Sequence, residues 1–365
     1  MSLTAGIVGL PNVGKSTLFN AITKSQVEAA NYPFATIDKN VGVVTVPDPR
    51  VGRLSAIFNP KKTIYTTFEF TDIAGLVKGA SEGEGLGNKF LGHIREVDAI
   101  CHVVRCFHDE DISHVAGRID PIEDIEVVEL ELLLADIQTV DNRFEKLEKK
   151  LKNDKSVGME YDALKKIKQA LDAGKPASSV SLNPEEEKLI KTYHLLTKKP
   201  MIYVANIDEV DVAQPENNAD FLKVKAYAQE VNRSVVAISA HMEEELSSLD
   251  DEETALFLED LGLHSSGLDK IVHEAYSILG LKTFFTVGSD EVRAWTFHEQ
   301  MTAFDCAGII HSDFQRGFIR AETYHVDDLF ELKTELAIKE KGRLRLEGKQ
   351  YLVHDGDVLH FRFNV

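Results

Sequence analysis

An octapeptide near the amino terminus constrains the fold more than any other feature of the sequence. Residues 9–16 read G-L-P-N-V-G-K-S and match the phosphate-loop pattern G-x-x-x-x-G-K-[ST]. The apolar run 5–8 before it predicts a strand, and residues 15–22 after it predict a helix. In that context the loop amides enclose a triphosphate, the lysine contacts the outer phosphates, and the serine hydroxyl binds Mg²⁺. The predicted nucleotide-binding residues of the loop are Asn12, Val13, Gly14, Lys15, Ser16 and Thr17.

Two further segments are expected of a nucleotide-dependent switch. The apolar run 68–73 predicts a strand that leads into the motif D-x-x-G. We expect Asp72 to hold Mg²⁺ through a water, and the Gly75 amide to contact the last phosphate as part of the catalytic site. Thr36 offers the metal a second hydroxyl besides that of the phosphate loop. Five glycines in 75–87 predict a segment that nucleotide orders.

Short apolar runs alternate with helical patterns over the first 125 residues, and the runs 201–205 and 235–238 have the same character. This alternation predicts βαβ units and a mostly parallel sheet. Apolar residues then recur at intervals of three and four from Leu130 to Leu151, which predicts a coiled-coil hairpin inserted between two strands. After about residue 279, strand-like runs around a single helical segment predict a small α+β domain.

The predicted fold class is therefore an α/β P-loop NTPase with a mostly parallel sheet, a helical coiled-coil insertion and a C-terminal α+β domain. The predicted nucleotide-binding domain covers residues 1–127 and 199–278. The insertion covers 128–198 and the C-terminal domain covers 279–365.

Composition limits the partners. The chain has 60 acidic and 41 basic residues among 365 and a formal charge of -19, so we expect weak or no binding to free nucleic acid. No apolar stretch approaches the ~18 residues of a membrane span, and the first residues lack the features of a signal peptide. The three cysteines form no C-x-x-C pair and predict reduced thiols without a zinc site. These features predict a cytoplasmic protein with no membrane partner.

The motifs, in this order and spacing, resemble those of the YchF-type ATPases of the Obg family, a group of translation-factor-like P-loop NTPases. Residues 31–34 (N-Y-P-F), 72–80 (D-I-A-G-L-V-K-G-A) and 355–358 (D-G-D-V) carry the resemblance, which covers essentially the whole chain. It implies that the C-terminal domain is a TGS domain with a β-grasp fold. It also implies that the nucleotide is ATP and that the ribosome or ribosomal RNA is a partner.

GTPases of this class read guanine with the motif N-K-x-D after a strand. Here the corresponding residues are Asn206-Ile207-Asp208-Glu209, so the lysine is Ile207 and the aspartate is Glu209. Isoleucine carries no charge, and glutamate is one methylene longer than aspartate. Guanine thereby loses its main contact, and adenine is favoured or at least admitted. Ser239 and Ala240 match the other base-lining loop of the family.

The group that activates the attacking water stays open. Many relatives place a glutamine after D-x-x-G to orient that water, whereas this chain has Leu76. We therefore expect slow hydrolysis unless another group acts. A partner could supply a residue in trans, a K⁺ ion could bind beside Asn12, as in similar proteins, or His114 could approach from its loop.

The predicted function is that of a ribosome-associated ATPase that hydrolyses ATP to ADP and phosphate and acts as a nucleotide-dependent switch in translation or stress response. Three alternatives stay open: a GTP-dependent nucleic-acid-binding GTPase, a small-molecule P-loop kinase, and a scaffold that binds nucleotide only to fold. Lysines crowd the tip of the predicted hairpin and suggest a phosphate-contacting surface. They are Lys146, Lys149, Lys150, Lys152, Lys155, Lys165, Lys166 and Lys168.

Overall fold

The computed structural model describes residues 3–25, 40–73, 86–109, 112 and 118–364. The chain divides into two compact units, and each contains two stretches of sequence. The first unit comprises Met1–Val43 and Glu69–Ile271, and the second comprises Val44–Phe68 and Val272–Val365. Within the described ranges, no helix is both long enough and apolar enough to cross a membrane.

The described chain contains twelve strands and fourteen α-helices. The strands are β1 (Thr4–Val8), β2 (Val41–Thr45), β3 (Lys62–Ile64), β4 (Thr67–Asp72), β5 (Ala99–Arg105), β6 (Met201–Asn206), β7 (Ser234–Ile238), β8 (Leu281–Thr286), β9 (Glu291–His298), β10 (Phe318–His325), β11 (Arg345–Glu347) and β12 (Asp357–Phe363). The helices are α1 (Lys15–Lys24), α2 (Pro49–Phe58), α3 (Leu86–Glu96), α4 (Pro121–Leu151), α5 (Gly158–Asp172), α6 (Pro184–Ile190), α7 (Ala219–Glu230), α8 (Ala240–Leu246), α9 (Asp251–Asp260), α10 (Gly267–Ile278), α11 (Ala303–Ile310), α12 (Ser312–Arg316), α13 (Val326–Leu332) and α14 (Glu335–Glu340).

The sheet of the first unit has the strand order β2-β4-β1-β5-β6-β7. Strand β1 pairs in parallel with β4 and β5, and β5, β6 and β7 continue in parallel. Strands β5 and β6 are buried along their whole length, as expected of central parallel strands covered on both faces. The parallel register brings the carboxyl ends of these strands to one edge, where Asp72, Arg105 and Asn206 lie.

The helical insertion is built around α4, which has 31 residues. The helix begins at Pro121, before the predicted start of the insertion, because Asp120 accepts a hydrogen bond from the Glu123 amide and Pro121 occupies the first turn. Its predicted apolar stripe packs with α5 at Val140 and Leu147. The first member of that stripe is an exception.

Leu130 is 53% exposed, although the heptad pattern predicts it in the hairpin core. In this part of α4 other residues are buried instead, among them Val128, Leu132 and Ala135. The buried face of the helix therefore changes along its length, which a single repeat cannot describe.

The sheet of the second unit has the order β11-β10-β12-β8-β9-β3. Strands β8 and β9 are antiparallel, β12 lies parallel to β8, and β10 pairs antiparallel with β12. Phenylalanines of these strands, including Phe284, Phe297 and Phe361, form a core with α11. This mixed sheet with helices agrees with the predicted α+β class of the C-terminal part. The prediction of a single helical segment there is wrong, because the described chain has the four short helices α11 to α14.

Residues 44–68 belong to the second unit, although the predicted boundaries assign them to the nucleotide-binding domain. Strand β3 extends the second sheet by pairing in parallel with β9. Helix α2 buries Val51 and Leu54 in one core with Phe285 and Val292. Apolar residues recruited from more than 200 positions away have no local signature, so the sequence pattern placed this segment in the wrong unit.

We expect Leu54→Ala to lower the free energy of unfolding of the second unit by about 2–5 kcal/mol, because Leu54 is fully buried and its loss leaves a cavity. Leu336→Ala is the matched control in the same unit, since it removes the same atoms from a side chain that is 67% exposed and should cost no more than about 0.5 kcal/mol. Urea unfolding of the full chain, followed by the fluorescence of its single tryptophan, Trp295, measures both. Equal losses in the two variants would contradict the position of α2 in this core.

Candidate functional site

A cavity of about 970 Å³ opens in the first unit at the edge where the parallel strands end. Loops that follow β1, β5, β6 and β7 line it. The predicted nucleotide-binding residues in its lining are Asn12, Gly14, Lys15, Ser16, Thr17, Asn206, Ile207, Glu209, Ser239 and Ala240. Phosphate-loop residues and residues from Asn206 onwards, which are far apart in the sequence, therefore face one volume of a size suited to a small-molecule ligand.

The phosphate loop takes its shape from two residues with left-handed backbone, Asn12 (φ 64°) and Gly14 (φ 91°). Gly14 is also where another part of the chain comes closest, because an added Cβ would lie 2.1 Å from Asn206 Nδ2. Helix α1 begins directly afterwards, and no side chain caps its first turn. Its first amides are left to an anion, as is typical of helix starts that bind phosphate.

Asn206 ties the phosphate loop to the loop that follows β7. Its Nδ2 donates to the Val13 carbonyl oxygen at 3.0 Å, and its Oδ1 accepts from the Ala240 amide at 2.9 Å. All these atoms are buried, so the two hydrogen bonds are shielded from water. Val13 accordingly contributes a buried side chain and this carbonyl, and it is absent from the cavity lining.

Lys15 lines the cavity and lies next to Asp72, which is not itself a lining residue. Lys15 Nζ donates to the Ile73 carbonyl oxygen at 3.1 Å and lies 3.7 Å from Asp72 Oδ1. Among the described residues, that buried carboxylate oxygen has no hydrogen-bond partner. A carboxylate oxygen without a hydrogen-bond donor, beside the lysine of the phosphate loop, fits a hard divalent cation such as Mg²⁺.

The loop after β5 supplies residues that the sequence motifs do not reveal. Arg105 ends β5 and is almost completely buried. Its guanidinium donates to the carbonyl oxygens of Phe107 (3.3 Å), Asp109 (3.1 Å) and Ile112 (3.0 Å). These three residues line the nucleotide cavity. A charged residue at the end of a mostly apolar strand was the one signal in the sequence that could have indicated this role.

Asp208 has a structural role in the same wall. Its Oδ2 accepts a hydrogen bond at 3.3 Å from the backbone amide of His108, another lining residue. The His108 ring contacts Asp220 Oδ2 at 3.1 Å. Asp208, which lies one position too early in the sequence to bind guanine, thus holds the loop that follows β5.

The other residues of the predicted base site are also engaged by neighbouring groups. Ile207 is buried, and its amide donates to the Ile238 carbonyl at 2.8 Å. The Ser239 hydroxyl accepts from the Met242 amide and caps α8. Glu209 Oε1 lies 2.5 Å from Nδ1 of His241, a lining residue that the motifs did not single out. The hydrogen bond to Glu209 raises the pKa of His241 above its ordinary value.

Four predicted residues lie outside the described ranges. They are Thr36, Gly75, Leu76 and His114. Their assigned roles therefore stay predictions.

Comparison with known proteins places the chain in a family. Residues 4–131 match a family model described as a 50S ribosome-binding GTPase, and residues 281–364 match the model of a YchF GTPase C-terminal family whose function is described as unknown. The Ribosome-binding ATPase YchF of Bacillus subtilis is 58% identical over 100% of both chains. The chain belongs to the YchF family. The Escherichia coli O157:H7 protein of the same name is 48% identical, again over the full length of both.

Solved structures agree with membership of the YchF family. The structure of the Schizosaccharomyces pombe YchF GTPase superposes with a TM-score of 0.90 at 39% identity, covering 99% of this chain and 98% of that one. A GTP-binding protein from Pyrococcus horikoshii shares the fold, with a TM-score of 0.63 at 20% identity over 100% of both chains. The predicted family and the predicted P-loop fold class are thereby confirmed. The TGS assignment of the C-terminal part stays a prediction.

We expect Arg105→Met to lower the free energy of unfolding by about 3 kcal/mol or more, because it leaves three carbonyl oxygens without their donor at about 1 kcal/mol or more each. It should also weaken nucleotide binding, since the loop it holds lines the cavity. Arg105→Lys keeps the charge with fewer donors and should fall between wild type and Arg105→Met. Urea unfolding and nucleotide titration measure the two effects, and a wild-type result for Arg105→Met in both would disprove the role.

Proposed function

We propose that this chain is a ribosome-associated ATPase. It binds ATP with Mg²⁺ in the nucleotide cavity, hydrolyses it to ADP and phosphate, and uses the nucleotide state as a switch in translation or stress response. The observation that carries the proposal is the convergence of the phosphate loop and the Asn206–Glu209 loop on one cavity, with Asp72 beside the lining residue Lys15. The names of the full-length relatives support ATP as substrate and the ribosome as partner, and a cytoplasmic location is part of the same proposal.

At the phosphate end, the free amides at the start of α1 bind phosphate oxygens, and Lys15 adds a point charge beside them. Ser16, Asp72 and Thr36 are the residues that would hold Mg²⁺, with Asp72 reaching it through a water. The ion, when bound, neutralises charge that builds up between the outer phosphates. Lys15 Nζ also donates to the Ile73 carbonyl oxygen at 3.1 Å, which holds the ammonium beside Asp72.

At the purine end, the described contacts leave little that can recognise guanine. The side chain of Asn206 is committed to Val13 and Ala240, so it positions the two loops. Ile207 offers only apolar surface. Glu209, the acceptor nearest to the position of the missing aspartate, is bonded to His241. Guanine needs a carboxylate acceptor for its ring N–H and amino group, whereas adenine does not, so ATP is preferred over GTP.

Hydrolysis is slow in the protein alone and needs activation. Gly75 contacts the last phosphate, and the activating group is a partner residue, K⁺ beside Asn12, or His114. Phosphate release measured in K⁺ and in Na⁺, for wild type and His114→Ala, with and without ribosomes, separates the three. A high turnover of the pure wild type that none of these changes affects would contradict the proposal.

Lys15→Ala should weaken ATP binding roughly 10- to 100-fold and abolish phosphate release, because a hydrogen bond to a charged group is worth about 1.5–3 kcal/mol. Lys24→Ala is the matched control: it lies in the same helix, and its exposed ammonium pairs with Glu244 at 3.2 Å, outside the cavity. ATP titration and phosphate release measure both variants. A Lys15→Ala protein that binds ATP as wild type does would refute the assigned phosphate site.

Purine preference should depend on pH through His241. Because Glu209 raises the pKa of His241, the charged pair is complete below about pH 6.5 and is lost as pH rises through the raised pKa. Glu244 and Glu245 face the same ring and act in the same direction. The freed Glu209 can then accept hydrogen bonds from guanine, so the affinity for GTP relative to ATP should rise about two- to fivefold, the range of an exposed ion pair.

Competition of ATP and GTP between pH 6 and 9 measures this ratio. His241→Ala should remove the pH dependence and keep the ratio at its high-pH value throughout. Glu245→Gln alters the more distant carboxylate, 3.9 Å from the ring, and should keep most of the pH dependence. A pH dependence that survives His241→Ala would assign it to another group.

A further inference from the structure

A second cavity, of about 950 Å³, lies in the first unit where the helical insertion joins the sheet. We call it the root cavity. The end of α3, the middle of α4 and residues 184–200 form its walls, and it shares no lining residue with the nucleotide cavity. It therefore offers a separate place for a ligand.

The walls of the root cavity are basic, in contrast to the chain as a whole. Three acidic residues, Glu96, Asp98 and Glu187, also line it. Its basic residues are Arg95, Arg143, Lys188, Lys191, Lys198 and Lys199. In a protein with a formal charge of -19, a concave surface with twice as many cations as carboxylates is a marked local reversal.

Part of this charge is used to build the cavity. Lys198 pairs with Glu187 at 2.9 Å, and Lys199 donates to the backbone carbonyl oxygens of Arg95 and Val97. Burial lowers the pKa of Lys199. Asp98 turns a carboxylate oxygen to the backbone amide of Thr4, at 3.0 Å.

Of the four remaining cations, Arg95 is half-buried and donates to the Thr139 hydroxyl at 3.3 Å, which leaves three exposed ones. Within the part of the chain that the structure describes, Arg143, Lys188 and Lys191 form no ion pair with a carboxylate. All three are exposed to solvent, and they line the same concave surface. Cations that share one concave surface repel one another, and a bound anion relieves that repulsion.

Arg143 is held in place by an aromatic side chain. The Arg143 guanidinium lies 5.5 Å from the ring centre of Tyr193, which is buried and whose hydroxyl donates to Glu160. Stacking of this kind leaves the edge of the guanidinium free for bidentate hydrogen bonds to a phosphate. An arginine held in this way, with two lysines in the same cavity wall, can bind a phosphodiester through charge-assisted hydrogen bonds.

The lysines at the tip of the hairpin are less suited to this role. Lys166 pairs with Glu186 at 2.7 Å, and Lys168 pairs with Asp141 at 2.5 Å and with Asp172. Lys150 lies 3.8 Å from Asp154. Several of the predicted phosphate-contacting lysines are therefore already neutralised.

We propose that the root cavity binds phosphate groups of ribosomal RNA through Arg143, Lys188 and Lys191. The inference rests on the proposed association with ribosomes and specifies which surface makes it. The site is separate from the nucleotide cavity, so it contacts RNA without competing with ATP. Local attraction of backbone phosphate is compatible with weak binding to free nucleic acid, because the remaining surface is acidic.

The test compares two double variants of the full chain that lose the same charge. Arg143→Gln with Lys191→Gln alters the root cavity, and Lys149→Gln with Lys152→Gln alters exposed tip lysines that do not line it. Affinity for purified bacterial ribosomes is measured by co-sedimentation over a range of salt concentrations, in the presence of ATP. ATP affinity of each variant, which neither pair should change, serves as the control for folding.

We expect the root variant to lose at least about tenfold in affinity at ~0.1 M salt, and the slope of log affinity against log salt to fall by about two, one for each lost phosphate contact. The tip variant should stay within about twofold of wild type. The pair Arg143→Lys and Lys191→Arg keeps both charges and should retain most of the affinity.

Three outcomes would overturn the inference: an unchanged root variant, equal losses in the root and tip variants, or a loss of affinity without a change of salt slope. The last result would indicate a ribosomal protein as the contact. Wild-type protein that does not bind ribosomes would instead refute the proposed association itself, and that result is visible before any substitution is compared.

Discussion

The buried amide of Asn206 is the constraint on which the nucleotide site depends. One side chain holds the phosphate loop through Val13 and the loop after β7 through Ala240, at 3.0 and 2.9 Å. Its amide group leaves room for no Cβ at position 14, so the glycine of the motif is required by this contact as well as by its left-handed backbone. An asparagine that belongs to a base-binding motif here connects the phosphate loop to the loop that follows β7.

The parallel register of the sheet makes this connection possible. Because β1, β5, β6 and β7 run in the same direction, their carboxyl ends meet at one edge, and each delivers a loop to the cavity. Arg105 then fixes the loop after β5 by three hydrogen bonds to carbonyl oxygens. Strand order brings the loops together, and buried polar side chains fix their shapes.

Features that depend on residues close together in the sequence could be predicted, and features that depend on distant contacts could not. The phosphate loop is local, since its glycines, lysine and serine lie within eight residues, and the family motifs extended the prediction to Asn206 and Glu209. The role of Arg105 could not be read in this way, because its acceptors are backbone carbonyls that leave no trace in side-chain identity. His241 was missed because its importance comes from a partner 32 positions away. Leu130 fits the heptad repeat but is exposed, because the elements that pack against α4 differ along its length and bury different faces of the helix.

The position of residues 44–68 has a practical consequence for dissecting the protein. The chain crosses between its units after residues 43, 68 and 271, so the second unit is not a terminal appendage. A fragment that stops at residue 271 would retain α2 and β3 while losing every strand and helix that covers them. Val51 and Leu54 would then face water, and β3 would present an unpaired edge. Such a truncation exposes apolar surface and an unpaired strand edge, which promote aggregation. Insolubility of the fragment would therefore not show whether the nucleotide-binding part can fold by itself.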